Sequence, residues 1–381
     1  LSKERPAGVR KELLVSDPGL VVDDPEIKIV VEVMGGIEPA KDYIIRALSN
    51  GKHVVTANKD LISLCGRELF EVAGSHRVDL LFEASVAGGI PIISSLKEAL
   101  VANRIKCLMG IVNGTTNYIL TRMTLDGVEY REALREAQSK GYAEADPAQD
   151  VSGHDAARKM AILASIAFNT RITYPQVYAE GITGISPLDI VYARELGYVI
   201  KLLGIARERN GEVEVRVHPA FLPQSHPLAS VNGVYNAIFV EGYPVGVAMF
   251  YGQGAGGAPT ASAVVGDIIA CVRNLLHGVS GRVSCTCYEE KRVKDIREIE
   301  TQFYVRLLVK DRPGVLAGIA KVFGDNEVSL ASVIQKRTEG DMAEIVVVTH
   351  RIGESNASSA LEIIRKLPTV GEVSSVIRVE H

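Results

Sequence analysis

The sequence predicts an α/β protein of several folded parts, and three patterns along its 381 residues indicate this. Residues 27–83 alternate strands and helices with short connections, which favours parallel strands joined by right-handed crossovers. Residues 85–251 mix helices and strands without that alternation, as expected of an α+β part. Residues 301–381 follow the order βαββαβ, which is typical of a ferredoxin-like sandwich.

The elements of the first part follow from short apolar runs and their stop signals. Gly51, for example, ends the first helix. Ligands of parallel sheets lie beyond the carboxyl ends of the strands. We therefore expect Gly35-Gly36 and Asn58-Lys59 to lie at a binding edge. The elements of this part are predicted, in chain order, at 27–33, 39–50, 53–57, 60–74 and 78–83.

The second part is predicted from shorter signals. Ser186-Pro-Leu-Asp189 predicts the start of a long helix, because it combines an N-cap serine, a first-turn proline and an acid at the third position. A glycine-rich turn at 252–257 precedes another helix that begins near Pro259, and the charged residues 281–300 are typical of a linker. The remaining helices are predicted at 91–102, 117–125 and 130–140, and the strands at 104–112, 213–217 and 231–240.

Composition narrows the function classes. The formal net charge is −4, with 47% hydrophobic residues, which gives no indication of a nucleic acid or an anionic membrane as partner. Apolar runs are broken before bilayer-spanning length, and no secretion signal opens the chain. The five cysteines favour a reducing, cytoplasmic compartment over a disulfide framework. Cys285-Thr-Cys287 has no second pair at zinc spacing, so we predict no metal there.

The segment 141–159 gathers chemistry-bearing side chains. Four carboxylates (Glu144, Asp146, Asp150 and Asp155) lie at or before the start of a strongly apolar helix. Lys159 follows Asp155 by four residues, so the two share a helix face. Acids and a lysine beside an apolar surface are what a polar substrate pocket with a proton donor requires. The alternative is a solvated loop and a surface ion pair, typically worth ~0.3–0.5 kcal/mol.

The third part carries a specific motif, Asp311-Arg-Pro-Gly314, between a strand and a helix. Backbone amides at a helix start can hold an amino acid's carboxylate, although an ordinary turn is the alternative. The run 311–324, followed by 328–333, closely resembles the ACT family of regulatory modules, and the resemblance covers 302–380. It implies an amino-acid effector, with threonine expected, at Asp311, Gly314, Val315 and Leu316. Strands are predicted at 302–310, 327–336, 342–350 and 371–379, and helices at 314–325 and 357–367.

Five further motifs occur in the order seen in homoserine dehydrogenases. With the ACT tail, the chain resembles the regulated form of that family over essentially all 381 residues. The resemblance implies interconversion of L-aspartate 4-semialdehyde and L-homoserine with NADPH or NADH, in the synthesis of threonine, methionine and isoleucine. The motifs are Thr56-Ala-Asn-Lys59, 83–91, Asn113-Gly-Thr-Thr-Asn117, 144–159 and Gly254-Ala-Gly256.

The resemblance also implies which residues act. Hydride transfer leaves negative charge developing on the substrate oxygen, so Lys159 is expected to act as general acid. Asp155 is expected to orient Lys159 and hold its charge, and Lys59 to reach toward the nicotinamide and substrate. His154 and Arg158 are expected to face away from this site. The implied substrate-binding residues are Glu144, Asp150, Tyr142, Thr115 and Gly114.

For the cofactor, the resemblance implies Lys59 and glycine-rich turns whose free amides approach the dinucleotide. It also implies a structural monovalent cation, sodium or another, held mostly by backbone oxygens as a hard cation requires. The implied turns are Gly35, Gly36, Gly254, Ala255 and Gly256, and the implied cation site is Glu83, Val86, Gly88 and Ile90.

One part of the family pattern does not occur. A dinucleotide fold normally starts with a strand and Gly-x-Gly-x-x-Gly, and no such sequence precedes residue 27. We therefore expect an incomplete Rossmann-type sheet, without its first strand, first helix and most of its second strand. Lys3 and Arg5 follow that second strand, where an NADP 2′-phosphate would lie, although a solvated basic loop is the simpler alternative. The choice between NAD and NADP stays open.

The predicted organisation has four pieces: a truncated nucleotide-binding domain (1–84 with about 252–280), a catalytic and dimerisation domain (85–251), a linker (281–300) and the ACT regulatory domain (301–381). A homodimer or homotetramer is expected. One alternative is a non-catalytic amino-acid sensor with a degenerate dehydrogenase body, which the missing glycine loop favours and the intact Asp155/Lys159 pair opposes. Another is a dehydrogenase that acts on a different small amino-acid aldehyde.

Overall fold

The computed structural model describes residues 10–282 and 284–380, except the side chains of residues 11 and 336–339. Lys3 and Arg5, expected beside a 2′-phosphate, lie outside the described residues. The first part is a three-stranded parallel sheet in the order β1-β2-β3, as predicted. Its strands are β1 (Ile29–Glu32), β2 (His53–Thr56) and β3 (Leu80–Leu81), and its helices are α1 (Gly19–Val22), α2 (Ala40–Ser49) and α3 (Lys59–His76).

The middle of the chain contributes several strands to a larger sheet, and helices pack against that sheet. The helix His154–Ala167 packs closely on the strand Tyr198–Arg209. The closeness is evident at Gly204, where a Cβ would lie only 2.4 Å from Cγ of Met160. The helices are α4 (Ile92–Ser94), α5 (Gly114–Asp126), α6 (Tyr130–Ser139), α7 (Ala148–Val151), α8 (His154–Ala167), α9 (Pro187–Glu195) and α10 (Gly257–Leu276). The strands are β4 (Arg104–Ile111), β5 (Tyr178–Ala179), β6 (Tyr198–Arg209), β7 (Glu212–Pro223), β8 (Tyr235–Tyr243), β9 (Gly246–Gln253) and β10 (Arg292–Val293).

Two predictions about this part were wrong. The capping box at Ser186 is present, but its helix, α9, has nine residues and is not long. Gly197, with φ +85°, follows it, and the chain then enters β6, which the sequence analysis did not predict. β6 is a nearly continuous buried run, and such a run does not distinguish a strand from a helix by its periodicity. β9 was also not predicted. The helix predicted at 91–102 is a short α-helix followed by a π-helical turn, Ser95–Ala99.

The segment 281–300 lies along the body of the protein. Glu289 forms a β-bridge with Thr170, and Arg292 pairs with Glu212 on the edge of β7. Among the described residues, one helix, α10, has the length and apolar composition to cross a membrane, with 6% of its most apolar window buried. Length and composition alone are weak evidence for a membrane span.

The C-terminal part has the predicted βαββαβ order, with one extra two-residue strand. α11 and α12 share one apolar cluster with the four long strands. The strands are β11 (Glu300–Lys310), β12 (Leu330–Glu339), β13 (Met342–Thr349), β14 (Ile352–Gly353) and β15 (Val370–Val379), and the helices are α11 (Val315–Asp325) and α12 (Glu354–Ile364).

The C-terminal part and the middle part share a single sheet. β15 pairs in parallel with β7, which gives the strand order β12-β13-β11-β15-β7-β6-β4-β8-β9. The buried carboxylate of Glu380 reaches into the middle part and contacts Arg207 at 2.8 Å and Arg216 at 2.7 Å. Arg306 of β11 pairs with the buried Asp189 of α9 at 2.9 Å. The two parts are therefore joined by backbone pairing and by buried ion pairs.

Candidate active site

A cavity of about 830 Å³ opens where the parallel sheet meets the larger sheet. It lies at the carboxyl end of β2, where ligands of parallel sheets bind. The starts of α5, α8 and α10 and the loop before α7 form its other walls. The lining includes twelve of the predicted residues, namely Lys59, Gly88, Gly114, Thr115, Tyr142, Glu144, Asp150, Asp155, Lys159, Gly254, Ala255 and Gly256.

The predicted acid–lysine pair lies at the wall of this cavity. α8 begins directly after Gly153, whose φ of +83° turns the chain into the helix, so Asp155 and Lys159 lie one turn apart on the same face. Lys159 Nζ donates to Asp155 Oδ2 at 2.7 Å and to the carbonyl of Val112 at 2.8 Å. An ammonium group has three N–H donors, so these two acceptors fix its position and leave one donor for a ligand.

Asp155 is the centre of a charged cluster. Its Oδ1 lies 3.3 Å from Lys59 Nζ, and its Oδ2 also accepts a hydrogen bond from Asn113 Nδ2 at 2.9 Å. Burial opposes ionisation of this carboxyl, but the charges of Lys159 and Lys59 outweigh burial and lower its pKa to about 2. Asp155 is therefore a carboxylate at neutral pH, held between two ammonium groups.

Asp150 lies next to this cluster with a different charge environment. Its Oδ1 accepts from Asn113 Nδ2 at 2.8 Å. Burial, and then the charge of Asp155, raise its pKa. A cation bound beside Asp150 would relieve both effects, so this carboxylate is suited to an ammonium group of a ligand.

The neighbouring loop completes the pocket. Thr115 Oγ1 donates to the carbonyl of Tyr142 at 2.6 Å, which ties the loop to the start of α5. The ring of Tyr142 packs edge-on against Tyr118, with centroids 5.0 Å apart. Glu144 is exposed and lines the cavity. Gly114 must be glycine, because a Cβ there would lie 2.7 Å from the carbonyl oxygen of Val234.

The two predicted glycine-rich turns lie in different places: Gly254 to Gly256 line the cavity, whereas Gly35 and Gly36 lie at the edge of the parallel sheet. A Cβ at Gly254 would overlap the Asn236 side chain, and Gly256 has φ +118° immediately before α10. The first amides of α10 therefore face the cavity end, where a dinucleotide phosphate could approach. Gly35 and Gly36 follow β1 with φ of +77° and +74°, and Asn58 Nδ2 donates to the Gly36 carbonyl at 2.7 Å. They lie beside the cavity rather than among its described lining residues.

The predicted cation loop is compact. Ala87 and Gly88 both have positive φ, and a Cβ at Gly88 would lie 2.7 Å from the Gly254 backbone. The Glu83 carboxylate accepts from the amides of Ile93 and Ser94 at 2.7 and 2.8 Å. Because that carboxylate already binds a helix start, a cation here would depend mainly on backbone carbonyls of this loop, and the cation stays a prediction.

The predicted effector residues lie together at the start of α11. Gly314 adopts φ +89° as the residue before the helix. Val315 is buried and Leu316 is exposed. Asp311 Oδ1 accepts from Gln335 Nε2 of β12 at 3.4 Å. Whether an effector binds at this turn stays a prediction.

The residues expected to face away lie outside the cavity. His154 Nδ1 lies 3.0 Å from the hydroxyl of Tyr174, and Arg158 Nε pairs with Asp60 at 2.8 Å. Asn113, for which the sequence predicted no role, donates to both Asp150 and Asp155 and also caps α5. Its position one residue before a helix was the available signal. Lys140, another lining residue without a predicted role, donates to the Tyr118 hydroxyl at 2.9 Å.

Comparisons with known proteins cover the whole chain. Three family models match: "Homoserine dehydrogenase, NAD binding domain" over residues 1–83, "Homoserine dehydrogenase" over 91–269 and "ACT domain" over 303–369. The homoserine dehydrogenase of Synechocystis sp. is 49% identical over 388 residues, which cover 100% of this chain and 90% of that protein.

Solved structures agree with these matches. The crystal structure of a homoserine dehydrogenase from Thiobacillus denitrificans has a TM-score of 0.91 and 44% identity, and the match covers 96% of this chain and 85% of that one. A hyperthermophilic archaeal homoserine dehydrogenase in complex with NADPH has a TM-score of 0.59 and 30% identity, with 68% and 75% covered. The non-catalytic sensor is not favoured, since both enzyme domains match. The chain belongs to the homoserine dehydrogenase family and is an oxidoreductase with an NAD-binding domain and a C-terminal ACT domain.

Proposed function

We propose that Lys159 transfers the proton when this enzyme interconverts L-aspartate 4-semialdehyde and L-homoserine. The observation that carries the proposal is the contact between Lys159 Nζ and Asp155 Oδ2, 2.7 Å, at the cavity wall. In reduction, the third N–H of Lys159 donates to the oxygen on which negative charge develops. In oxidation, the neutral amine accepts the hydroxyl proton. Asp155 stabilises the charged form and holds the amine toward the cavity.

The cofactor is proposed to lie between the carboxyl end of β2 and the start of α10. NADPH or NADH bound there would supply the hydride. The amides after Gly256 and the side chain of Lys59, which line the cavity, would approach it. The NAD-binding family match and the NADPH complex of the archaeal relative support a nucleotide cofactor. The turn at Gly35-Gly36 would extend the same edge.

The substrate is proposed to place its ammonium group near Asp150 and Glu144. Both carboxylates line the cavity, and Asp150 is already held by Asn113 at 2.8 Å. Tyr142, Thr115 and the backbone at Gly114 would close the pocket around the carbon chain. The aldehyde end of the substrate would then point toward Lys159.

Replacing Lys159 tests the central assignment. Lys159→Met should lower kcat by at least about 100-fold, the effect typical of losing a general acid, with a smaller change in the KM for NADPH. Arg158→Gln is the matched control: it removes a cation one residue earlier on α8, where the side chain pairs with Asp60. Turnover of Lys159→Met within threefold of the wild type would overturn the proton-transfer role.

Regulation is proposed to pass from the ACT domain to the active site through Arg378. Arg378 pairs with Glu354 in the ACT domain and with Glu180 of the catalytic part at 2.6 Å. The next residue, Gly181, packs so tightly on α7 that a Cβ there would lie 2.1 Å from the Val151 carbonyl. α7 carries Asp150, so a displacement of the ACT domain at Arg378 would change the position of a proposed substrate-binding carboxylate.

Threonine is the proposed effector, bound at Asp311, Gly314, Val315 and Leu316 and inhibiting the enzyme. Titration calorimetry of threonine into the full chain should give heat, and Gly314→Val should abolish that heat because it distorts the left-handed turn before α11. Alanine is the control ligand, since it keeps the amino-acid backbone without the hydroxyl. An absence of heat with threonine would contradict this part of the proposal.

The remaining proposals concern assembly, ions and location. Exposed aromatic and apolar side chains of β8 and β9, including Tyr243, Val247 and Tyr251, favour a homodimer through this sheet, or a homotetramer. A sodium ion or another monovalent cation is proposed at the loop of Glu83, Val86, Gly88 and Ile90. The cysteine pattern favours the cytoplasm.

A further inference from the structure

Cys285 and Cys287 lie in the segment 281–300, against the end of the helix that carries Lys159. Cys287 Sγ lies 3.8 Å from the carbonyl of Ser165, in the last turn of α8. Both cysteines are partly buried. The segment is held to this part of the body by Lys291, whose Nζ donates to the Phe168 carbonyl at 2.9 Å. The proposed function makes no use of either cysteine.

Cys285 has a cationic environment. Arg171 Nη2 donates to Cys285 Sγ at 3.6 Å, and Arg171 Nε is buried without a hydrogen-bond partner among the described residues. The ammonium of Lys97 lies 5.3 Å from the ring centroid of Phe70, and Lys97 lines the same small void as both cysteines. Two neighbouring cations, of which Lys97 is buried and Arg171 half-buried, repel a metal ion and stabilise a thiolate. This environment distinguishes the pair from a metal-binding Cys-x-Cys.

The neighbouring cysteine favours the anion at the same atom. Interaction with the thiol and backbone N–H of Cys287 lowers the pKa of Cys285 against the opposing effect of burial, the charges of Arg171 and Lys97 lower it further, and the same interaction raises the pKa of Cys287. One residue separates the two cysteines, and both line the same small void. The pair therefore has the arrangement of a nucleophilic and a resolving cysteine.

A small void, lined mostly by apolar atoms, lies beside the two sulfurs. Its volume is about 20 Å³, room for one water-sized molecule, and Cys285, Cys287, Lys97 and Arg171 are among its lining. We propose that Cys285 is a reactive thiolate that a peroxide oxidises, and that Cys287 then closes an intrachain disulfide. The site is independent of the reaction at Lys159.

The chemistry balances with hydrogen peroxide as the oxidant. The Cys285 thiolate attacks one peroxide oxygen, an S–O bond forms, the O–O bond breaks, and hydroxide leaves and takes a proton as water. The Cys287 thiol loses its proton as its sulfur attacks Cys285, the S–S bond forms, and the S–O bond breaks with loss of a second water. The two sulfurs lose two electrons and the peroxide gains them. A three-residue disulfide loop is strained and is readily reduced by thiols.

The test compares the pH dependence of labelling at individual cysteines in the full chain. The rate at which iodoacetamide labels Cys285 should change less than about threefold between pH 8 and 6, whereas an ordinary thiol slows about tenfold per unit below its pKa. Cys65, partly buried on α3, is the internal control. A Cys285 rate that follows the Cys65 profile, or no labelling of Cys285 in the folded protein, would overturn the thiolate.

Peroxide treatment tests the second step. The peptide that contains both cysteines should lose two hydrogens in its mass and regain them with dithiothreitol. Cys287→Ser should instead accumulate a sulfenic acid that dimedone traps at Cys285, and Cys65→Ser should behave as the wild type. If peroxide leaves both sulfurs reduced in the wild type while other cysteines oxidise, the proposal is wrong, and this outcome does not depend on any variant folding.

Discussion

The charge of Asp155 should control both activity and stability, and Asp155→Asn isolates that charge at nearly constant volume. The carboxylate contacts Lys159 at 2.7 Å and Lys59 at 3.3 Å in a site where it is 7% exposed. Removing one partner of a buried ion pair typically costs ~3–5 kcal/mol, because the remaining charge is left unpaired. If the transition state loses about 3 kcal/mol of stabilisation, kcat/KM falls roughly 100-fold.

The stability effect has a definite pH window. The pKa of Asp155 is lowered from 3.8 to about 2, so its ionised form stabilises the folded state above the unfolded pKa. That contribution is about 2 kcal/mol at neutral pH and is lost as pH falls from roughly 4 to 2. Asp155→Asn should therefore unfold at a lower temperature than the wild type at pH 7, and the difference should shrink toward pH 3.

Steady-state NADPH oxidation and thermal unfolding measure the two effects. Asp126→Asn is the matched control, because Asp126 also pairs with a base four residues away, Arg122 at 2.6 Å, but on the surface. Its activity should stay within about twofold of the wild type and its unfolding temperature nearly unchanged. If Asp155→Asn retained kcat/KM within threefold, Asp155 would not be the group that positions Lys159.

Three further predictions concern packing, pH and regulation. Gly114→Ala places a Cβ 2.7 Å from the Val234 carbonyl, so it should lower unfolding free energy by about 1–3 kcal/mol, and an unchanged melting curve would contradict the close contact. Burial raises the pKa of Asp267 to about 7, with a smaller increase from the charge of Glu83, so the folded state loses stability as pH rises from about 4 to 7. Asp267→Asn should therefore stabilise the protein more at pH 8 than at pH 5, by about 2–3 kcal/mol, in thermal melts; equal gains would refute the shift. Glu180→Gln should weaken threonine inhibition severalfold in rate assays without changing turnover in its absence, and unaltered inhibition would exclude this route.

Local sequence signals predicted most of the fold where periodicity and stop residues agree. The alternation over 27–83 and the βαββαβ order of 301–381 are both present in the structure. The signals failed where burial is continuous, as in β6, where strand and helix have the same apolar appearance. The pairing of β15 with β7 joins segments more than 150 residues apart, and no local pattern carries that register. Such pairing is decided by tertiary packing.

The candidate site was likewise predicted where local spacing decides the geometry and was missed where long-range contacts decide it. The shared helix face of Asp155 and Lys159 could be predicted from their spacing, because four residues make about one helical turn. The role of Asn113 could not be predicted in this way, since its amide binds Asp155 from 42 positions away along the chain. Lys59 likewise approaches Asp155 from α3, a helix of the first part of the chain, whereas Asp155 lies on α8 of the middle part. Family resemblance supplied the candidates, whereas the contacts that give them their charges come only from the fold.

Those contacts gather two positive charges around one negative charge at the wall of the cavity. Lys59 and Lys159 bring two positive charges to the single carboxylate of Asp155, whose pKa near 2 keeps it ionised without neutralising both. Asp150 also lines the cavity, and burial and the charge of Asp155 raise its pKa, so an ammonium group bound beside it would favour its ionised form. We infer that the cavity is positive beside the two lysines, where the proposed alkoxide would develop, and negative beside Asp150, where the proposed amino group would bind. On this proposal the polarity would orient a short amino-acid aldehyde before hydride transfer, and uncharged replacements of either the lysine pair or Asp150 would remove it.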